Sequence, residues 1–305
     1  MSQSKWRAAV TGSEGFIGKN LTSRLELDGV EVLKIDVASK VEPLQAIDIT
    51  DRSALNKALD DFQPTHIFHL AAQTDVRNSL VDPLNDAHIN IIGTINVGKW
   101  AMRQTDVHVI YFNSGGAIYN PHISSEHSES EIPKPISPYG ISKLVGENYL
   151  EILLPENRLT SLRLSNVYGQ GQTKGVIPIF INSILEGLPC KFYGDGSSTR
   201  DYVHADDVIE FSYAVLEKSL YGIYNVSSGN QTSLKDLHVE LCQALGVSPE
   251  IEFLSKIEGE IQDSVISNVR ALSVGWRPRR NFGQEVRKLA IMEKQLRDYS
   301  KDFNN

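Results

Sequence analysis

Short apolar runs alternate with amphipathic stretches along the first half of the chain. Ala8-Ala9-Val10, Glu31–Ile35, Ile47-Asp48-Ile49, Thr65–Ala72, Val107–Phe112 and Arg158–Leu164 each read as a short strand. Runs with little polar alternation suit strands buried on both faces of a parallel sheet. Between them, a stretch beginning near Phe16, Arg52–Phe62, a long stretch from Asp82-Pro83 to about Arg103, and one opened by Ser137-Pro138 read as helices. Regular alternation of this kind predicts an α/β fold with a doubly wound parallel sheet. After Leu164 the pattern loosens. Gly175-Val176-Ile177-Pro178 opens an amphipathic helix, Ser233–Leu245 reads as another, and Gln284–Tyr299 as a solvated terminal one. Phe192–Gly196 and Tyr224-Asn225-Val226 read as strands, the second returning to the first sheet. Repeats, low-complexity tracts and linkers are absent from the pattern.

Composition narrows the class. With 305 residues, 41% hydrophobic and 22% charged, the chain can bury one large core or two modest ones. A formal charge of −8 leaves no basic footprint and argues against nucleic acid as a partner. Cys190 and Cys242 lack metal-ligand spacing and read as reduced thiols, and no metal site is expected. The N-terminal stretch has no secretory apolar core, and no run approaches the ~18 apolar residues of a membrane span. The expected location is the cytoplasm.

The candidate chemistry begins directly after the first strand. Gly12, Gly15 and Gly18 are spaced GxxGxxG, with Phe16 and Ile17 at the start of the following helix. Glycines there permit a tight turn, close backbone approach to a pyrophosphate and close packing of the helix on the sheet. Asp36 ends the second strand, where a carboxylate accepts ribose hydroxyls and repels a 2′-phosphate, so NAD is expected over NADP. Tyr139 and Lys143 lie four apart and share a helix face. An ammonium beside a phenol lowers the phenol's pKa and suits it to proton transfer near neutral pH. His66 and His69, flanking the central strand, read as packing residues. Asn90 falls inside a helix, where asparagine is disfavoured, so a specific bond is expected of it.

The segments VTGSEGFIG, KIDVAS, HLAAQTDVRNSLVDP, NIIGTINV, SPYGISK, LRLSNVYGQGQ and YGDGSSTRDYVHADDV follow one another from Val10 onward. In that order they resemble the extended short-chain dehydrogenase/reductases, and most of all the sugar-nucleotide epimerases of the UDP-glucose 4-epimerase type, through about Pro278. The resemblance implies a seven-stranded Rossmann domain over residues 1–168, to which strand 223–226 returns, and a smaller sugar-nucleotide-binding domain over 169–305. It places Asp48 and Ile49 at the adenine, Leu70, Ala71, Ala72 and Thr74 along the dinucleotide, and Asn90 in support of Lys143. It places Asn166, Val176, Tyr193 and Arg200 at the substrate, with Tyr193 packing on the base and Arg200 on the pyrophosphate. A homodimer is expected through the helices at 82–103 and 138–153. The implied reaction is epimerisation at C4 of a nucleotide-diphosphate hexose: Tyr139 takes the 4-hydroxyl proton, C4 passes hydride to NAD, and the 4-keto sugar turns over before hydride returns. A 4-ketoreductase of a deoxyhexose nucleotide and a non-catalytic NAD- or sugar-nucleotide-binding protein are the alternatives.

Two departures from the family pattern, and one contrast with a competing reading, stand out. The family places a Ser or Thr where this chain has Gly115, with Ser114 one residue early, so Ser114 is the candidate catalytic and substrate-contacting hydroxyl. Gly116-Ala117 replaces the acidic pair of the 4,6-dehydratases, which argues against water elimination. A second phosphate-binding arginine is missing before Gly259, where Lys256 is a partial substitute.

Overall fold

The computed structural model describes residues 6–38, 46–122, 126–247, 249–255 and 263–302. Twelve strands are present among them: β1 Arg7–Thr11, β2 Glu31–Ile35, β3 His66–His69, β4 His108–Ser114, β5 Leu159–Leu164, β6 Asn166–Tyr168, β7 Cys190–Tyr193, β8 Thr199–His204, β9 Gly222–Val226, β10 Gln231–Ser233, β11 Ile251–Leu254 and β12 Asp263–Ser264. The helices are α1 Phe16–Leu27, α2 Arg52–Phe62, α3 Val76–Val81, α4 Pro83–Ala87, α5 Thr94–Met102, α6 Gly115–Ile118, α7 Pro138–Leu153, α8 Val176–Leu185, α9 Ala205–Lys218, α10 Leu234–Leu245, α11 Val269–Ser273 and α12 Phe282–Asp302.

The main sheet runs β2-β1-β3-β4-β5-β9, parallel throughout. Six strands, not the seven that the resemblance implies, make this sheet among the described residues. β9 reaches it from far along the chain and pairs with β5. The apolar runs read from the sequence fill both faces. One face carries Val10, Phe68, Ile110, Leu162 and Val226 against α1 and α9; the other carries Ala9, Ile67, Val109 and Tyr111 against α2, α5 and α7. A third cluster, with Phe180, Phe192, Leu241 and Val286, joins α8, β7, α10 and α12.

Ile47-Asp48-Ile49 is not a strand. Ile47 N–H bonds to Asp36 O, but the Asp48 carboxylate then turns onto Thr50, accepting from its N–H and its hydroxyl at 2.8 Å each. That local turn competes with pairing. The long helix expected from Asp82 to Arg103 exists as α4 and α5, joined by a π-helical turn, His88–Gly93. The terminal helix is only partly solvated, because Val286 and Ala290 are buried against α10 and α8. Cys190 and Cys242 are free thiols. No described helix is long and apolar enough to cross a membrane. The stretch around Lys256 and Gly259 lies outside the described residues.

Candidate active site

A cleft of about 960 Å³ lies along the carboxyl ends of the main-sheet strands, at the point where strand order reverses between β1 and β3. The glycine loop forms its floor. Gly12, at φ +73°, comes so close to β3 that a Cβ there would meet Ala71 N at 2.7 Å. A Cβ on Gly18 would strike Gly12 O at 2.0 Å, so α1 can seat against the loop only through a glycine. Gly15 caps α1 without any side-chain bond, leaving the amides of Phe16 and Ile17 turned toward the cleft wall they line.

Asp36 sits at one end of the cleft, its carboxylate pinned by Glu14 N–H and Ala38 N–H, both at 2.9 Å. Asp48 and Ile49 line the same end, and Leu70, Ala71, Ala72 and Thr74 line the wall beyond β3. A backbone cradle without room for a Cβ, a helix terminus without a cap and a carboxylate at the far end together fit a dinucleotide with free ribose hydroxyls. His69 takes no part in the lining. It is buried between the hydroxyls of Thr11 (2.7 Å) and Thr94 (2.9 Å), and burial pulls its pKa down to about 3.

At the other end stand Tyr139, Lys143 and Ser114. Ser137 caps α7 by accepting from Gly140 N–H at 3.1 Å, and Pro138 occupies the first turn. The Tyr139 N–H, an orphan of that first turn, donates to the buried Ser79 hydroxyl at 3.1 Å. Lys143 lies with its Nζ 4.1 Å from the centre of the Tyr111 ring. The expected lowering of the phenol by its lysine is not what the site shows. Burial pushes Tyr139 up to about 12, opposed by a hydrogen bond with the Ser114 side chain and reinforced by Asp86. Burial pulls Lys143 down to about 7, while Glu147 and Asp86 hold it up. Desolvation disfavours both charged forms, and here it outweighs their neighbours.

Ser114 therefore does reach the phenol, and a buried network sets it there. Asn113 Oδ1 accepts from Ser114 N–H at 2.8 Å, and Asn113 Nδ2 donates to Glu147 at 2.8 Å. Glu147 also accepts from the Ser161 hydroxyl and forms a buried ion pair with Arg163. Arg163 continues to the Tyr119 hydroxyl at 2.9 Å, and Tyr119 donates to Asn225 on β9 at 2.8 Å. Gly115 has no side chain to offer, and its surroundings are tight: a Cβ there would meet Ile266 Cδ1 at 2.6 Å and Leu164 O at 3.2 Å.

Five residues named from the sequence lie outside this cleft. Asn90 is buried in the π-helical turn. Its side chain closes on Gln73 N, Gln73 O and Asp86 rather than on Lys143. Asn166 opens β6 and donates to Asp201 O at 3.2 Å. Val176 begins α8, and Arg200, on β8, donates to Thr199 O at 2.8 Å. Tyr193 ends β7, and the Arg77 guanidinium stands 6.0 Å from its ring centre, so α3 and β7 approach each other there. Other lining residues were not singled out from the sequence: Gln73 and Gln172, which lie within the quoted motifs, and Thr173 and Lys174, which follow them in the loop after β6. The glycine at 171, with φ +85°, was the available cue to that loop's close turn.

The description "NAD dependent epimerase/dehydratase family" belongs to a family model that matches residues 8–227. The UDP-glucose 4-epimerase of Mycolicibacterium smegmatis is 35% identical over 302 residues, covering 92% of this chain and 96% of that protein. The crystal structure of UDP-glucose 4-epimerase with UDP-glucose from Thermotoga maritima superposes with a TM-score of 0.87 at 32% identity, covering 95% of this chain and 99% of that one. The Thermus thermophilus UDP-glucose 4-epimerase complex with NAD gives 0.86 at 31% identity, with the same two coverages of 95% and 99%.

Proposed function

The chain belongs to the NAD dependent epimerase/dehydratase family, and on that footing we propose that it interconverts the C4 epimers of a nucleotide-diphosphate hexose through a transient 4-keto sugar. NAD is the cofactor, and sugar-nucleotide epimerisation is the reaction class. The observation that carries the reading is the meeting of Ser114, Tyr139 and Lys143 at one end of a cleft whose other end is Asp36.

Gly12, Gly15 and the first amides of α1 hold the pyrophosphate, and Asp36 holds the adenosine ribose. Bound NAD supplies the hydride acceptor and donor, with a cationic ring whose field favours an anionic phenol. Tyr139 then exchanges its proton with the sugar 4-hydroxyl, while Ser114 bonds the phenol oxygen and steadies it through the exchange. Lys143, close to neutrality in its own proton equilibrium, shares the buried pocket and offsets charge on Tyr139. Asn166, Val176, Tyr193 and Arg200 line the route by which the nucleotide diphosphate reaches this end, between the parts spanning 1–168 and 169–305. Two copies of the chain associate through the outer face of α3, α4 and α7.

The test is a panel of UDP-, dTDP-, GDP- and CDP-hexoses deuterated at C4, incubated without added cofactor. A C4 epimer that keeps its label, and loss of turnover with intact NAD binding in Tyr139→Phe, are the expected results. Turnover only with added NADH, with the label lost, would mark a ketoreductase instead.

A further inference from the structure

Behind the Tyr139–Lys143 pair lies a carboxylate that the reaction as drawn does not use. Asp86, on α4, is fully buried. Its Oδ1 accepts from Gln73 Nε2 and Asn90 Nδ2, both at 3.0 Å. Its Oδ2 is equally buried and has no hydrogen-bond partner among the described residues. A carboxylate in that position is costly unless a charge or dipole answers it.

Two contacts seat the segments on either side of α4 against α7. On one side Ser79 accepts from Tyr139 N–H at 3.1 Å. On the other, Gly146 packs so closely on the π-helical turn that a Cβ there would stand 3.2 Å from Asn90 O. Gln73 ties the cluster to the cleft, which it lines. We propose that Asp86 is a positioning residue for the proposed epimerisation: its buried carboxylate, on the helix between those two contacts, shifts the pH range in which the Tyr139–Lys143 pair exchanges a proton. The inference rests on the epimerase reading.

The other groups facing the pair are few. Lys143 faces Glu147 one turn along α7, His69 from β3 and Tyr111 from β4; Tyr139 faces Ser114 and Tyr111. Glu147 is already matched by Arg163, and His69 is held neutral by burial. Asp86 is the anion in this set with an oxygen left over. Its charge favours the protonated form of both Lys143 and Tyr139. Removing it lowers both values, so both limbs of a profile set by this pair move the same way.

Asp86→Asn keeps an oxygen for Gln73 and Asn90 and removes only the charge. Its kcat–pH profile, on the hexose nucleotide that the wild type turns over, is expected to shift by about one unit to lower pH on both limbs. NAD affinity is expected to stay within a factor of about three, because the carboxylate is no part of the cleft lining. A residue with a merely structural role would lower kcat at every pH and leave the limbs in place, and that result would overturn the inference. Should Asp86→Asn not fold, Asp86→Ser carries the same expectation with a smaller side chain. Absence of turnover by the wild type on every hexose nucleotide would defeat the epimerase reading itself, whereas wild-type turnover with unshifted limbs defeats only the role of Asp86.

Discussion

Ser114 bonds the Tyr139 side chain from one residue before the position where the family pattern has its hydroxyl. Spacing alone puts the family's hydroxyl at 115, but a Cβ there would press on Ile266 Cδ1 and on the carbonyls of Leu164 and Arg163 at 3.2 and 3.3 Å. At 114, Asn113 holds the backbone by its side chain and the Ser114 side chain bonds Tyr139. Ser114→Ala is expected to lower kcat by roughly tenfold to a thousandfold, the range for a supporting acid–base group, with NAD affinity retained. Gly115→Ser added to that variant is expected to restore nothing. Steady-state kinetics of both variants check this, and an unchanged kcat in Ser114→Ala would remove the hydroxyl from proton transfer. Gly12, Gly18, Asp36, Tyr139 and Lys143 were legible in the sequence because their chemistry depends on neighbours a few positions away. Asn113, Glu147 and Asp86 were not, because each matters through a partner on another element. The direction of the Tyr139 shift was misread for a related reason: spacing reports the lysine but not the depth of burial, and burial dominates.

At the scale of elements, the strand–helix alternation was legible and its interruptions were not. Ile47-Asp48-Ile49 has a strand's residue types, yet the Asp48 side chain builds a turn that no periodicity records. The π-helical turn at His88–Gly93 also escapes periodicity, because what holds it is tertiary. Asn90 reaches Gln73, and Gly93 packs where a Cβ would meet Ile49 Cδ1 at 2.4 Å. The joint between α7, β4 and β5 is the buried Glu147–Arg163 pair, 1% and 4% exposed at their side chains. Glu147→Gln strands the Arg163 guanidinium away from water, and breaking a buried pair from one side costs about 3–5 kcal/mol. Urea unfolding at neutral pH is expected to show a loss of that order. The double change Glu147→Met with Arg163→Met is expected to recover most of it, since it strands no charge. A double variant as unstable as the single one would show that the cost lies in packing and not in the uncompensated cation.

The whole molecule carries an apolar surplus on one side. α7 and α5 cover the main sheet with Lys143, Glu147, Leu150, Val97 and Trp100 turned inward, and this satisfies the core on their inner side. The outer side of the same layer still shows Val81, Leu84 and Ile152 at 85%, 82% and 81% exposure, with Leu80 and Ile141 also exposed. These come from α3, α4 and α7, the helices that also carry Ser79, Asp86, Tyr139 and Lys143. Singly exposed apolar residues need no explanation, but a face built from three adjoining helices does. A second copy of the same chain is the partner that such a face fits, because a two-fold axis sets like helices against like and buries both surpluses at once. Light scattering at micromolar concentration is expected to give twice the 33.9 kDa chain mass. Leu84→Glu with Ile152→Lys places an acid and a base in that face and is expected to yield a folded monomer. Since the same helices position the proton-transfer pair from behind, that monomer is also expected to lose part of its kcat while retaining NAD. A wild-type chain that scatters as a monomer at micromolar concentration would show that the outer face is ordinary surface.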